Sequence, residues 1–326
     1  MHTSQFFCIF QSATAILSLG LLCLLCEIAN ASCGTAFCSI HTDWDTQTPW
    51  NEQEAAIRLN LRAEYIHLNQ LRSGTDKIAA SSLSGEHNEI ETHNLNWIGN
   101  LSYAISPALS VALQMPVVTR DHTHIFNEVT GPEQENWQFT RLGDITALTH
   151  WRLDKAQSSH DFAYGLIGGV KLPTGSIKVQ NSAGEIAERS LQPGSGSTDL
   201  IVGGFLSGRT GPANWYSQLR WQQAITERND FQPGARRSLD LGTSYPLGRT
   251  QILAQLNMLW RAQDRGANAE PASSGGTFIF FSPGIAVPVS EKMQVNGFIQ
   301  FPLLQDVRGK QLTADWAATL GLSMHF

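Results

Sequence analysis

The sequence predicts an all-β fold: an up-and-down antiparallel barrel of twelve transmembrane strands with both termini on the periplasmic side. Three observations lead there. Apolar and polar residues alternate with period two through twelve successive segments, the pattern of strands with two unlike faces. The stretches between them alternate long and short, as in barrels with short periplasmic turns and longer outer loops. Only 15% of the 326 residues are charged, below the roughly 25% of ordinary soluble domains.

Taken in order, residues 1–31 read as a cleaved secretory signal peptide. ATAILSLGLLCLLC, residues 13–26, carries no charge, and Ala29-Asn30-Ala31 makes a small-x-small cleavage site before Ser32. The segment ahead of the apolar core lacks Lys and Arg, a departure from the usual leader. No later apolar run reaches the about 18 residues of a membrane-spanning helix. Residues 32–54, SCGTAFCSIHTDWDTQTPWNEQE, are polar and aperiodic and read as a periplasmic tail before a barrel over 55–326. Cys33 and Cys38 are the only cysteines beyond the leader. In an oxidising compartment such a pair is expected to form a disulfide. The alternative is a metal held by Cys33, Cys38 and His41, one ligand short of a closed zinc site. Covalent haem would need Cys-x-x-Cys-His, which is absent, and no cofactor is expected.

The first strand, AIRLNLRAEY, sets Ile57, Leu59, Leu61, Ala63 and Tyr65 against Arg58, Asn60, Arg62 and Glu64. The second, NLNWIGNLSY, sets Leu95, Trp97, Leu101 and Tyr103 against Asn94, Asn96, Asn100 and Ser102. The third carries Leu109, Val111, Leu113, Met115 and Val117 on one face. A long polar loop is expected over 120–138, with His122-Thr-His124 as solvated loop residues and metal binding as the minor alternative. The fourth, DITALTHWRL, and the fifth, FAYGLIGGVKL, precede the longest loop, 173–197, rich in Gly, Ser and Pro. The sixth to ninth are TDLIVGGFL, WYSQLRWQQAI, SLDLGTSYPL and QILAQLNMLWR. The tenth, TFIFFSPGIAVPV, has a blurred period. The eleventh is MQVNGFIQF, and the twelfth, DWAATLGLSMHF, ends on Phe326. Aromatics near the ends of the apolar faces suit interfacial girdles.

The polar faces separate this fold from a soluble sandwich, whose outer face meets bulk water. Here they are rich in Asn, Gln and Gly with scattered Arg, which suits a wet lumen. The residues expected to face that lumen are Arg58, Arg62, Glu64, Asn96, Asp144, His150, Arg152, Lys171, Arg220 and Arg261. With Asp144, Asp199, Asp240 and Asp315 opposite, they could fill a narrow barrel with ion pairs or line a pore and set its selectivity. The mildly acidic balance, with no Lys/Arg cluster, argues against nucleic acid as a partner. The Gly-rich loops lack Gly-Lys-Ser/Thr leading into a helix, so they read as turns rather than phosphate loops. The outward His67 has no serine beside it for a barrel hydrolase, so no enzyme is expected.

GVKLPTGS, SLQPGSGSTDLIVGG and SSGGTFIFFSPGIAVPVSEKMQVNGFIQFPL, together with the terminal Phe326, resemble the outer-membrane barrel family named for the meta-pathway of phenol degradation. The resemblance runs from about residue 55 to the end. A subset of that family carries a Cys-containing segment and an Asp-Trp pair before the first strand, as CGTAFCSIHTDWDTQ does here. Where the subset has Cys-Gly-Cys, the second cysteine of this chain is displaced. The resemblance implies a barrel in the bacterial outer membrane. It further implies passage of small hydrophobic or aromatic solutes and a terminal aromatic read by the barrel-insertion machinery. It supplies no catalytic residues. The expected partners are outer-membrane lipid, that machinery, a small-molecule solute and, if the lumen is sealed, a periplasmic protein docked by the tail.

Overall fold

A computed structural model describes residues 57–79, 87–128, 131–154 and 162–326. The signal segment and the tail with Cys33, Cys38 and His41 lie outside them. The described residues form thirteen strands in chain order: β1 (Ile57–Gly74), β2 (Asp76–Lys77), β3 (His87–Ser106), β4 (Leu109–Glu128), β5 (Gly131–Leu142), β6 (Ile145–Arg152), β7 (Phe162–Leu172), β8 (Asp199–Thr210), β9 (Ala213–Ala224), β10 (Arg236–Leu247), β11 (Thr250–Arg261), β12 (Gly276–Ser290) and β13 (Met293–His325). All pair antiparallel. Eleven close into a ring through β13 against β1, while β2 and β5 hang from β1 and β4 outside it. Among the described residues closure leaves the ring itself without an open edge, so the backbone groups of the wall are satisfied within it, while β2 and β5 each pair on one side only.

The ring is counted as eleven strands rather than the twelve expected because one of them, β13, makes two passes. The segments read as the eleventh and twelfth strands form one unbroken span, β13. Its first half pairs with β12 up to Val307 and its second half with β1 from Val307 onward. The span doubles back at Gly309, where φ is +62°, so that His325 N donates to Lys292 O at 3.0 Å. A left-handed residue permits so tight a reversal, and glycine adopts it without steric cost. The expected loop 120–138 is also corrected. β4 and β5 form a hairpin through it, running from Val117–Leu142 to Glu128–Gly131.

The outward faces follow the predicted period. Leu61, Trp97, Leu101, Tyr103, Leu219, Ile252 and Leu320 stand exposed, while their neighbours Arg62, Asn96, Asn100, Ser102, Gln218 and Thr319 are buried inside. Exposed apolar side chains in this number are costly in water and favourable against hydrocarbon. Phe162, Tyr164 and Trp215 touch at ring separations of 5.9 and 6.1 Å beside the tight turns. The barrel ends meet at that same end, with Phe326 N donating to Ile57 O at 2.9 Å.

Candidate site in the barrel lumen

The interior is built by the polar half of each strand. Arg62 Nε lies 2.8 Å from Glu64 Oε1, and Asn96 Nδ2 donates to Glu64 Oε2 at 3.4 Å across the β1–β3 register. Arg220 sits 3.8 Å from Asp240, whose other oxygen accepts from Asn257 Nδ2 at 2.9 Å. Asn257 in turn meets Ser282 and Gln300. Arg58 and His150 flank a void of about 20 Å³ with Asn60, Asn100, Ser110 and Ser323. These residues come from strands on both sides of the closing seam.

Two expected lumen residues serve instead as anchors at the strand ends. Arg152 forks onto Asp154 with contacts of 2.5 and 3.2 Å. Burial pushes the Asp154 carboxyl up, but the hydrogen bonds and charge of Arg152, with backbone donors, hold it below its ordinary range. Arg261 binds Asp264 at 2.6 and 2.8 Å, and Asp264 also accepts from Gly234 N at 2.8 Å. Asp315 does not oppose the lumen cations. The β1–β13 register slips between His67 and Gln70, which turns Asp315 outward to lie 3.0 Å from His67 Nδ1.

The loop 173–198 is the largest departure from expectation, because it folds inward. Lys171, at the end of β7, lies 3.2 Å from Asp144 and 3.1 Å from Asp199, and also donates to Ser195 and Ser197. Asp144 receives Ser195 N at 2.8 Å, Ser195 Oγ at 2.6 Å and Gly175 N at 3.0 Å. One lysine thus neutralises two buried carboxylates and pins both ends of the loop. Its middle crosses the mouth: Ala187 and Leu191 pack with Ile66, Leu68, Trp137 and Leu312 on the far wall. Gln192, fully buried, accepts from Val179 N and donates to Ala187 O at 2.9 and 2.7 Å, which satisfies backbone groups that would otherwise be stranded.

Between this loop and the loops 225–235 and 262–275 lies a cavity of about 490 Å³. Glu188, Glu270 and Asp264 line it beside Phe231, over whose ring the Arg189 guanidinium sits at 4.7 Å. Burial pushes the Glu188 carboxyl well above the usual range, and the charges of Glu270 and Glu89 push it further; a hydrogen bond from Ser190 only partly opposes them.

His122 and His124, expected in a solvated loop, are buried on the inner face of β4 with Glu89. A second histidine group, His67, Glu91 and His93, stands half-buried on the outer face. Neither grouping was legible as such. Where strands project past the hydrocarbon both faces become polar, so TRDHTHIFNE shows no period. The His-x-His spacing was the one available signal.

No sequence profile of a known family matches the chain, and no curated protein matches it. Among solved structures it is similar to the COG4313 outer membrane channel from Pseudomonas putida F1, with a TM-score of 0.59, 12% identity and coverage of 85% of this chain and 98% of that one. It is also similar to the NanC porin, at TM-score 0.45, 9% identity, and 82% and 100% coverage. A monoaromatic hydrocarbon channel, CymD, gives TM-score 0.42, 8% identity, and 84% and 90% coverage. At such identities the first likeness establishes the fold, a closed antiparallel barrel of the outer-membrane type.

Proposed function

We propose that this chain is a channel of the bacterial outer membrane that passes small, hydrophobic or aromatic solutes. The observation that carries the reading is the closed ring itself, apolar outside and polar within. Its likeness in fold to an outer membrane channel supports the same class. In this reading the tight-turn end and both termini face the periplasm, and the leader 1–31 is removed. Phe326 is read by the insertion machinery. Arg58, Arg62, Glu64, Asn96, His150 and Arg220 line the path, while Asp144, Lys171, Arg152 and Arg261 hold its walls and loops. Membership of the phenol meta-pathway barrel family is part of the same proposal, as is the Cys33–Cys38 disulfide.

A second reading has its own observation. The loop 173–198 lies buried across the mouth, so the barrel could be sealed, with the tail 32–54 docking a periplasmic protein or binding a metal through Cys33, Cys38 and His41. Planar-bilayer conductance of the refolded mature chain, with and without residues 32–54, separates the two. Steady conductance supports the channel, and a rise on truncation makes the tail a plug. Silence from folded protein in both forms favours the sealed barrel and turns the search to partners of the tail.

A further inference from the structure

The group inside β3 and β4 has the form of a metal site. His122 and His124 are two apart on β4 and so share the inner face. Glu89 pairs across with His124, and a register shift between Glu89 and Glu91 brings Glu89 onto the same face as Thr92. All three ligating side chains are buried, at 1%, 0% and 1% exposure for Glu89, His122 and His124.

The distances suit one ion. His122 Nε2 lies 3.2 Å from Glu89 Oε2 and 3.4 Å from His124 Nδ1. A tetrahedral ion with bonds of about 2.0–2.1 Å holds its ligand atoms about 3.3–3.4 Å apart. The ring nitrogens turned away from the cluster have partners of their own. His122 Nδ1 is 2.8 Å from Thr92 Oγ1, and His124 Nε2 is 3.1 Å from Glu135 Oε2. A carboxylate behind a ligating histidine is the usual second layer of such sites, fixing the tautomer and the ring plane. With Nε2–H of a neutral His124 donated to Glu135, its Nδ1 lone pair faces His122 Nε2, and two ring nitrogens converge where a cation would sit.

The outer group also has partners behind its rings, Asp315 at 3.0 Å from His67 Nδ1 and Tyr65 Oη at 2.8 Å from His93 Nδ1, but it is only half-buried. His67 Nε2 and His93 Nε2 both reach one oxygen, Glu91 Oε1, at 2.6 and 3.2 Å. Two N–H donors to one carboxylate make a complete arrangement without an ion.

We propose that Glu89, His122 and His124 form a binding site for one divalent transition-metal ion of the zinc class inside the barrel mouth, with Thr92 and Glu135 orienting the two imidazoles. Two imidazoles and one carboxylate suit such an ion. Three protein ligands leave the fourth position to water or a solute, the mark of a working rather than a purely structural site. Trp137 closes over it, its ring 4.4 Å from that of His124.

The test is metal binding by the full refolded chain in detergent, with Cys33→Ser and Cys38→Ser so that the tail thiols contribute nothing. After chelation, Co²⁺ is titrated and its tetrahedral d–d absorption recorded, then displaced with Zn²⁺. The expected result is one equivalent bound, with the bands lost in His122→Gln and His124→Gln and kept in His93→Gln. Glu135→Gln should weaken the affinity by about 10–100-fold. Heat-modified gel migration shows that each variant is folded, and Glu89→Gln replaces any histidine variant that is not. The proposal is overturned if the folded parent binds neither ion. Undiminished binding in His124→Gln or Glu89→Gln, or loss of the bands in His93→Gln, overturns it equally. None of these outcomes depends on whether the barrel conducts.

Discussion

Arg120 holds Leu191: its Nη1 donates to the Leu191 carbonyl at 2.8 Å and to that of Ser190 at 3.3 Å. The contact joins β4 of the wall to the loop that crosses the mouth. Both carbonyls are buried, and a buried acceptor deprived of its donor costs about 1–3 kcal/mol. Arg120→Ala should therefore loosen the loop without opening the ring. The expected outcome is faster protease cleavage within 173–198, alongside higher or noisier bilayer conductance. Unchanged cleavage would show that the apolar contacts of Leu191 hold the loop unaided.

Lys171 stands between Asp144 and Asp199. Removing one partner of a buried ion pair leaves charge uncompensated and typically costs about 3–5 kcal/mol. Lys171→Met should lower the unfolding midpoint by an amount of that order. Lys171→Met combined with Asp144→Asn should recover part of it, since one of the two orphaned charges is then gone. Urea titration of the three proteins in detergent measures the difference. Equal midpoints would mean that the serine hydroxyls and backbone donors alone sustain both carboxylates.

The Glu188 carboxyl gives a pH dependence with a definite sign. Its folded-state value is raised by burial, Glu270 and Glu89, so the folded loop binds a proton that the unfolded chain releases. Stability is then full below the ordinary carboxylate range and falls as pH rises through the raised value. Protection of the amides across 186–191, taken relative to the intrinsic exchange rate at each pH, should fall on going from acid to neutral pH, and Glu188→Gln should flatten that slope. A slope of the same size in the variant would assign the effect to Glu270 or Glu89.

The outward half of each strand was legible because the hydrocarbon imposes it. Leu61, Leu101 and Leu219 had to be apolar there, and the period exposed them together with their buried neighbours Arg62, Asn100 and Gln218. Inside, no solvent imposes a pattern. Arg261 and Arg152 share the parity of pore residues, yet their carboxylate partners, Asp264 and Asp154, lie in the turns just beyond the strands. The loop 173–198 was unreadable for a related reason. Beside a few apolar residues such as Ala187 and Leu191 it buries Ser195, Ser197 and Gln192, polar groups that satisfy backbone and charge inside the mouth, and such composition reads as exposed. The reversal at Gly309 hid in QDVRGKQL, where a single glycine makes the turn and the flanking strands are polar on both faces.

The last prediction separates membrane from detergent. Leu219 stands near the middle of β9, outward and 57% exposed, while Gln218 beside it is buried and points inward. An arginine on the lipid face near the bilayer centre costs about 2–4 kcal/mol, and much less where water or detergent can reach it. Leu219→Arg should thus fold almost as well as the parent in detergent micelles, yet insert poorly into lipid vesicles. Leu247→Arg, beside the tight turn at the barrel end, should be tolerated in both. Folding yields from heat-modified gel migration in the two media give the four comparisons. If Leu219→Arg and Leu247→Arg inserted equally well into vesicles, the apolar belt would not be the surface that meets lipid.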